Sequence, residues 1–229
     1  MGRLRIAVLI SGRGSNLQAL IEACRDPGMP AEIVLVVSNR PDAAGLGRAA
    51  AAGIATRTID HRSFADRAGF DAALDGCLSE TGVELVCLAG FMRLFTAGFV
   101  TAWRDRLVNI HPSLLPSFPG LDTHARALAA GVRFAGCTVH LVRPETDSGP
   151  ILAQAVVPVA PDDTPETLAA RVLAAEHRLY PLALRWLAEG RVRVVDERAI
   201  IAGTAVPALV AISPLEAGDA AVAAAPKLG

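Results

Sequence analysis

The sequence has 229 residues, 52% of them hydrophobic, with 22 basic and 23 acidic side chains and a formal net charge of -1. That is enough apolar material for one substantial core, so a single domain is the default. The balanced charge provides no electrostatic surface for nucleic acid or membrane, and Lys227 is the only lysine among scattered arginines.

Cys24, Cys77, Cys87 and Cys137 lie far apart, with no C-x-x-C pair and no histidine spacing suited to zinc. Reduced core thiols and no metal are therefore expected. The first ten residues carry Arg3 and Arg5 and run straight into a strand pattern, so no signal peptide is expected. The longest uncharged run, 199–215, contains Gly203, Pro207 and Pro214 and is unsuited to a membrane span, which makes the cytoplasm the expected compartment.

Leu4 to Ile10 is nearly all apolar, the mark of a strand covered on both faces. Ser11-Gly12-Arg13-Gly14-Ser15-Asn16 follows, then Leu17, Leu20 and Ile21 at helical spacing, with Ser15 and Gln18 spaced as a capping box. Strands are expected at 32–38, 55–58 and 84–89. Helices are expected at 43–52, closed by Gly53, and from about Ser63, with Phe70, Leu74, Cys77 and Leu78 on one face. Such alternation predicts an α/β fold: one domain with a mostly parallel, Rossmann-like twisted sheet and helices on both faces.

Leu107, Val108 and Ile110 then read as a short buried strand that must stop at His111, because Pro112, Pro116 and Pro119 permit neither helix nor ladder. A helix is expected at 123–130, strands at 136–141 and 151–157, and a turn at Asp147-Ser148-Gly149. Thr164 caps a long helix with Pro165 at its first position, kinked or restarted at Pro181, and 192–195 is the last expected strand. Beyond about Val206 the composition turns to alanine, proline and glycine, as in a loosely ordered tail.

Ligands of open α/β sheets bind beyond the carboxyl ends of the strands, which selects the loops 12–16, 90–93, 109–120 and 143–149. The backbone N–H groups of Gly14, Ser15 and Asn16 at a helix start suit a phosphate. Position 17 is Leu rather than a third glycine, and the second strand ends in Ser38-Asn39 rather than in an acid, so a monophosphate ester fits better than a dinucleotide, with a plain structural turn as the other reading. Asn109 has an amide to donate to a developing oxyanion and His111 an imidazole to move a proton. Read alone, Asn109 equally caps a strand end, His111 equally fills a loop, and Asp147 equally serves a surface turn. If the turn folds toward His111, its carboxylate would stabilise the imidazolium.

Ile10-Ser11-Gly12-x-Gly14-Ser15-Asn16-Leu17, Leu88-Ala89-Gly90-Phe91-Met92-Arg93, Asn109-Ile110-His111-Pro112-Ser113-Leu114-Leu115-Pro116 and Asp147-Ser148-Gly149-Pro150 together resemble the phosphoribosylglycinamide formyltransferases of purine biosynthesis. The H-x-S-L-L-P element is shared with the wider formyltetrahydrofolate-dependent family. The Ser-Gly-x-Gly-Ser-Asn opening and the run from Phe118 to His124 point to this branch.

The resemblance implies a catalytic trio of Asn109, His111 and Asp147. It implies a ribonucleotide held by Gly14, Ser15, Asn16 and Glu176, and 10-formyltetrahydrofolate, without a metal, held by Arg67, Met92, Arg93, Leu94, Phe95, Asn109, Arg143 and Thr146. It further implies one domain over 1–206, with the ribonucleotide in its N-terminal half and the folate and catalysis in its C-terminal half. The Ala/Pro-rich tail would follow at 207–229. The protein would be a monomer or weak homodimer acting on small molecules, with no nucleic-acid or membrane partner. Phe95 stands where an aliphatic residue is common and Thr138 where serine is usual. His140 is expected to orient the pocket, His124 to cap a helix, and His61 and His177 to pack locally. A formyl-folate hydrolase and a non-catalytic nucleotide-binding module are the competing readings. A transferase acting on aminoacyl-tRNA would carry a second, basic domain.

Overall fold

A computed structural model describes residues 2–205 and 211–213, so all of the expected tail except 211–213 lies outside the described residues. The elements in order are β1 (Leu4–Ile10), α1 (Ser15–Arg25), β2 (Ala31–Ser38), α2 (Gly45–Ala51), β3 (Thr56–Thr58), α3 (Arg67–Glu80) and β4 (Leu85–Leu88). There follow α4 (Ala97–Ala102), β5 (Leu107–His111), α5 (Thr123–Ala129), β6 (Phe134–Leu141), β7 (Ile151–Pro158), α6 (Pro165–Ala188), β8 (Val192–Val195) and β9 (Arg198–Ile201).

Seven strands form one sheet in the order β3-β2-β1-β4-β5-β6-β7. It is parallel from β3 to β5, and β6 and β7 join antiparallel, as the mostly parallel reading requires. Alternate residues of the buried strands serve different cores. Ile6, Val8 and Ile10 pack with Leu17, Leu20, Val172 and Tyr180 of α1 and α6. Ala7 and Leu9 pack with Phe70 and Leu74 of α3, Phe99 of α4 and Trp103 just past it. The Tyr180 hydroxyl lies 3.1 Å from the carbonyls of both Leu88 and Val108, which pins α6 across β4 and β5.

The chain order reverses between β1 and β4, and the loops beyond those two strands are tied together. Ser11 N donates to Gly90 O at 3.1 Å, while Ser11 Oγ accepts from Met92 N and donates to Asn39 Oδ1. That crevice is where the sheet topology places a ligand.

Several local expectations are corrected. The start of α1 has no capping box: Gly14 is the N-cap in the left-handed region, with no side-chain cap, and Ser15 is the first helical residue. The helix expected from Ser63 begins at Arg67, because the Asp66 side chain accepts from Gly69 N; residues 61–63 form only a 3-10 turn. A short helix, α4, was not anticipated, and Thr96 caps it by accepting from Phe99 N. Pro181 does not restart α6, which runs as one helix with Tyr180, Ala183 and Leu184 buried on both sides of the proline. Thr164 and Thr167 form the reciprocal cap at its start. Finally, β8 is followed by β9 in a hairpin turned by Asp196 and Glu197, both at positive φ.

Candidate active site

The phosphate-binding candidates come from the first βα turn. Gly14 has φ +70°, and a Cβ there would lie 2.7 Å from Gly45 Cα, so only glycine lets the starts of α1 and α2 meet. With no side chain capping them, the first N–H groups of α1 remain available to an anion. Beside them, Asn16 Nδ2 donates to Glu176 Oε2 at 2.6 Å, joining residues 160 apart in sequence. Glu176 is only 6% exposed, and burial raises its carboxyl pKa above the usual range. Asn16 Oδ1 is buried without a hydrogen-bond partner, an acceptor left for a ligand donor.

The second cluster comes from the antiparallel side. Register pairs Asn109 with His140 and His111 with Thr138. His111 Nδ1 lies 3.4 Å from Asp147 Oδ1, with both side chains largely buried, and Nε2 lies 3.0 Å from the Phe118 carbonyl. Each ring nitrogen thus faces an oxygen. Asp147, at φ +50°, also accepts from Gly120 N at 2.6 Å through Oδ2.

His140 Nδ1 sits 3.1 Å from both Leu141 O and Ser148 O, so that nitrogen carries the hydrogen. Its Nε2 then accepts from Asn109 Nδ2 at 3.2 Å, which fixes the orientation of the amide. Burial lowers the His140 pKa and keeps the ring neutral for this role, as the expectation that His140 orients the pocket requires.

Proline alone does not shape the loop after His111. Thr138 Oγ1 donates to Ser113 O at 2.7 Å and accepts from Leu115 N at 3.0 Å, and Gln154 Nε2 donates to Leu115 O at 2.8 Å. Ser113 Oγ donates to Ser117 O, and the Leu115-Pro116 bond is cis. Sequence reading noted Thr138 only as a departure and missed Gln154; strand alternation facing the H-x-S-L-L-P loop was the available signal.

The expected folate-side residues divide. Met92 and Leu94 are exposed apolar side chains on the 91–96 loop, and Phe95 stacks between Phe91 and Phe99 with centroids 5.3 and 4.5 Å apart. The Arg93 guanidinium lies 4.7 Å from the Phe70 ring centre, with Nε buried and unpartnered. Arg67 is exposed at the first residue of α3, and Thr146 is exposed on the 143–149 loop.

The structure does not bring the Arg143 guanidinium to the trio. Its nitrogens donate to Glu197, Asp105 and the Val142 carbonyl, at the end of β5 remote from His111. His124 is likewise not a cap: Asp122 is the N-cap of α5, with no side-chain cap bond. Burial, and then the charge of His111, lower the His124 pKa.

Residues 4–184 match the Formyl transferase family. The chain belongs to that family. A crystal structure of glycinamide ribonucleotide transformylase 1 from Symbiobacterium toebii superposes with TM-score 0.85 at 50% identity, covering 87% of this chain and 94% of that one. A phosphoribosylglycinamide formyltransferase of Escherichia coli is 44% identical over 89% of this chain and 96% of its own length. The trifunctional purine biosynthetic protein adenosine-3 of Gallus gallus is 53% identical over 84% of this chain. The chain spans only 19% of the length of that relative. Among the described residues, no group of three or more His, Cys, Asp or Glu side chains is arranged to hold a metal, and no helix is long and apolar enough to cross a membrane.

Proposed function

We propose that this chain transfers the formyl group of 10-formyltetrahydrofolate to the amine of N1-(5-phospho-D-ribosyl)glycinamide, releasing tetrahydrofolate, as a step of purine synthesis in the cytoplasm. The observation that carries the reading is the approach of His111 and Asp147 to 3.4 Å, with Asn109 on the same strand. The Formyl transferase membership supplies the reaction class.

The groups present suit both substrates. The free N–H groups at the start of α1 suit a phosphate, and Glu176 with the unpartnered Asn16 Oδ1 suits the sugar or glycinamide donors of the ribonucleotide. The exposed apolar side chains of Met92 and Leu94 would border the folate, together with Arg67, Arg93, Phe95 and Thr146. The Arg143 guanidinium is engaged by Glu197 and Asp105, so Arg143 would face the folate through its backbone.

The substrate amine attacks the formyl carbon, the carbonyl π bond opens, and its oxygen becomes negative. Asn109, oriented by His140, donates its second amide N–H to that oxygen, and His111 offers a second donor once Phe118 O yields its place at Nε2. Collapse breaks the bond from carbon to the folate nitrogen, which takes the proton lost by the amine through His111 or a water beside it. Asp147 holds the cationic ring during that transfer. Each such donor typically contributes about a hundredfold or more in rate.

The test is release of tetrahydrofolate from 10-formyltetrahydrofolate with and without the ribonucleotide. Release that depends on the ribonucleotide supports the proposal. Release that is equally fast without it would establish a hydrolase instead, and no release in either case would leave a binding module.

A further inference from the structure

The C-terminal hairpin β8–β9 lies beyond residues 4–184, the span that matches the family, yet it reaches back to the base of the loop that carries Asp147. Arg143, at the start of that loop, is 7% exposed although it is charged. Its Nε donates to Glu197 Oε2 at 2.5 Å, its Nη2 to Asp105 Oδ1 at 2.7 Å, and its Nη1 to Val142 O at 3.1 Å. The partner acids therefore come from the hairpin turn and from the residues just before β5, the strand that ends in His111.

The stem of the arginine matters as much as its head. A Cβ on Gly149 would lie 2.9 Å from Arg143 Cγ, so the stem lies against the backbone where the 143–149 loop returns to β7. Val142 N donates to Leu107 O at 2.8 Å on the way into the loop, and Leu141 N donates to Pro150 O at 2.9 Å on the way out. Arg143 thus grips both ends of the short segment whose middle supplies the carboxylate facing His111.

The hairpin turn carries an independent sign that its acid serves a purpose. Asp196 and Glu197 both have positive φ, 48° and 56°, where two-residue turns favour Asn-Gly or Asp-Gly. A glutamate at the second position accepts backbone strain that glycine would avoid, and the side chain held there reaches Arg143 and Arg104. Glu197 is about half exposed, so the pair is a weak source of stability, and its geometric role is the more informative one.

We infer that Glu197 and Arg143 are positioning residues for formyl transfer, with Glu197 orienting Arg143 so that the 143–149 loop holds Asp147 against His111. The inference rests on the reaction proposed above and goes beyond it by giving the terminal hairpin a role in turnover.

Steady-state kinetics and thermal unfolding of the full chain test it, with Glu197→Gly, Glu197→Gln, Asp147→Asn and the double variant Glu197→Gly/Asp147→Asn. Glu197→Gly relieves the turn while leaving Arg143 its bonds to Asp105 and Val142 O, so its Tm changes little. Its kcat falls on the order of tenfold, with KM for the ribonucleotide unchanged, because a small displacement of a reacting group is costly. Glu197→Gln keeps the side-chain length and shows a smaller loss of the same kind, which reads the missing charge even if the glycine variant melts early. In the Asp147→Asn background, Glu197→Gly lowers kcat no further, since the group it positions is already disabled. Unchanged kcat in both Glu197 variants, or a full tenfold loss that persists beside Asp147→Asn, would overturn the inference and leave formyl transfer standing. Normal turnover by Asp147→Asn would overturn the role of Asp147 in the proposed mechanism as well.

Discussion

The two ends of the crevice are built by different means. At the β1–α1 turn the candidate anion site is mostly backbone: a glycine at positive φ, an uncapped helix start, and one side-chain bond from Asn16 to Glu176. At the ends of β5 and β6 the candidate catalytic site is mostly side chains, ordered by carbonyls and hydroxyls distant in sequence. A backbone site is tied to the fold itself, so damage to it appears as lost stability and weakened binding. A side-chain network can lose a member while the fold survives, so damage to it appears as lost turnover.

That contrast is broken most sharply at His111. His111→Ala should lower kcat by about 10²–10⁴ while KM for the ribonucleotide barely moves. An equal loss in both constants would mean that the two ends are not separable. Gly14→Ala should show the opposite behaviour. The left-handed backbone and the 2.7 Å approach to Gly45 Cα leave no space for a methyl group, so about 2–4 kcal/mol of stability is lost, and KM for the ribonucleotide rises more than kcat falls. Denaturant titration and steady-state kinetics read both effects.

A smaller effect is expected at Thr138, whose hydroxyl links Ser113, Leu115 and Gln154. Thr138→Val keeps the shape and leaves the Leu115 N–H and a carbonyl unpaired, at about 1–3 kcal/mol. Because that loop leads to Phe118 and Gly120, which contact His111 and Asp147, kcat should fall with stability. A stability loss without any change in kcat would show that the loop does not position the dyad.

The mildest change is Glu176→Gln. Burial raises the carboxyl pKa in the folded state, so the native protein holds the proton more tightly than the unfolded chain. Stability from this group is present at low pH and declines as pH rises through the folded pKa, and the neutral amide escapes that decline. The variant should therefore melt higher than the unaltered chain at pH 8, with the difference shrinking toward pH 4, while KM for the ribonucleotide increases. His140 and His124 act in the other direction. Their folded pKa values are lowered by burial, so their contribution is complete above about pH 6.5 and is lost as pH falls below it. In the Glu176→Gln variant, where the opposing carboxyl is gone, a melting temperature that stays flat from pH 7 to 5 would contradict the two histidine assignments.

Much of the architecture was legible from apolar runs and glycines, because strands buried on both faces leave continuous hydrophobic stretches such as Leu4–Ile10. The end of β5 at His111 was legible for the same local reason, since proline cannot extend a ladder. The β9 strand was not, because its turn uses Asp196-Glu197 where the sequence signal expects glycine or asparagine. The start of α1 was misread because Ser15 resembles a cap by spacing, whereas Gly14 occupies that position in a conformation that spacing does not reveal. The direction of the Arg143 side chain was not legible, because its partners Asp105 and Glu197 lie 38 and 54 residues away.

By itself the sequence determined the periodicity of the strands, the positions where the chain must turn, and which residue types stand at the carboxyl ends of the sheet. These follow from local sterics and from burial of one or both faces. Only the tertiary structure decided that Asp147 faces His111, that His140 fixes the amide of Asn109, and that Arg143 turns to the hairpin instead of the crevice. Those outcomes depend on strand register and on pairings across many residues, which no local pattern of side chains encodes.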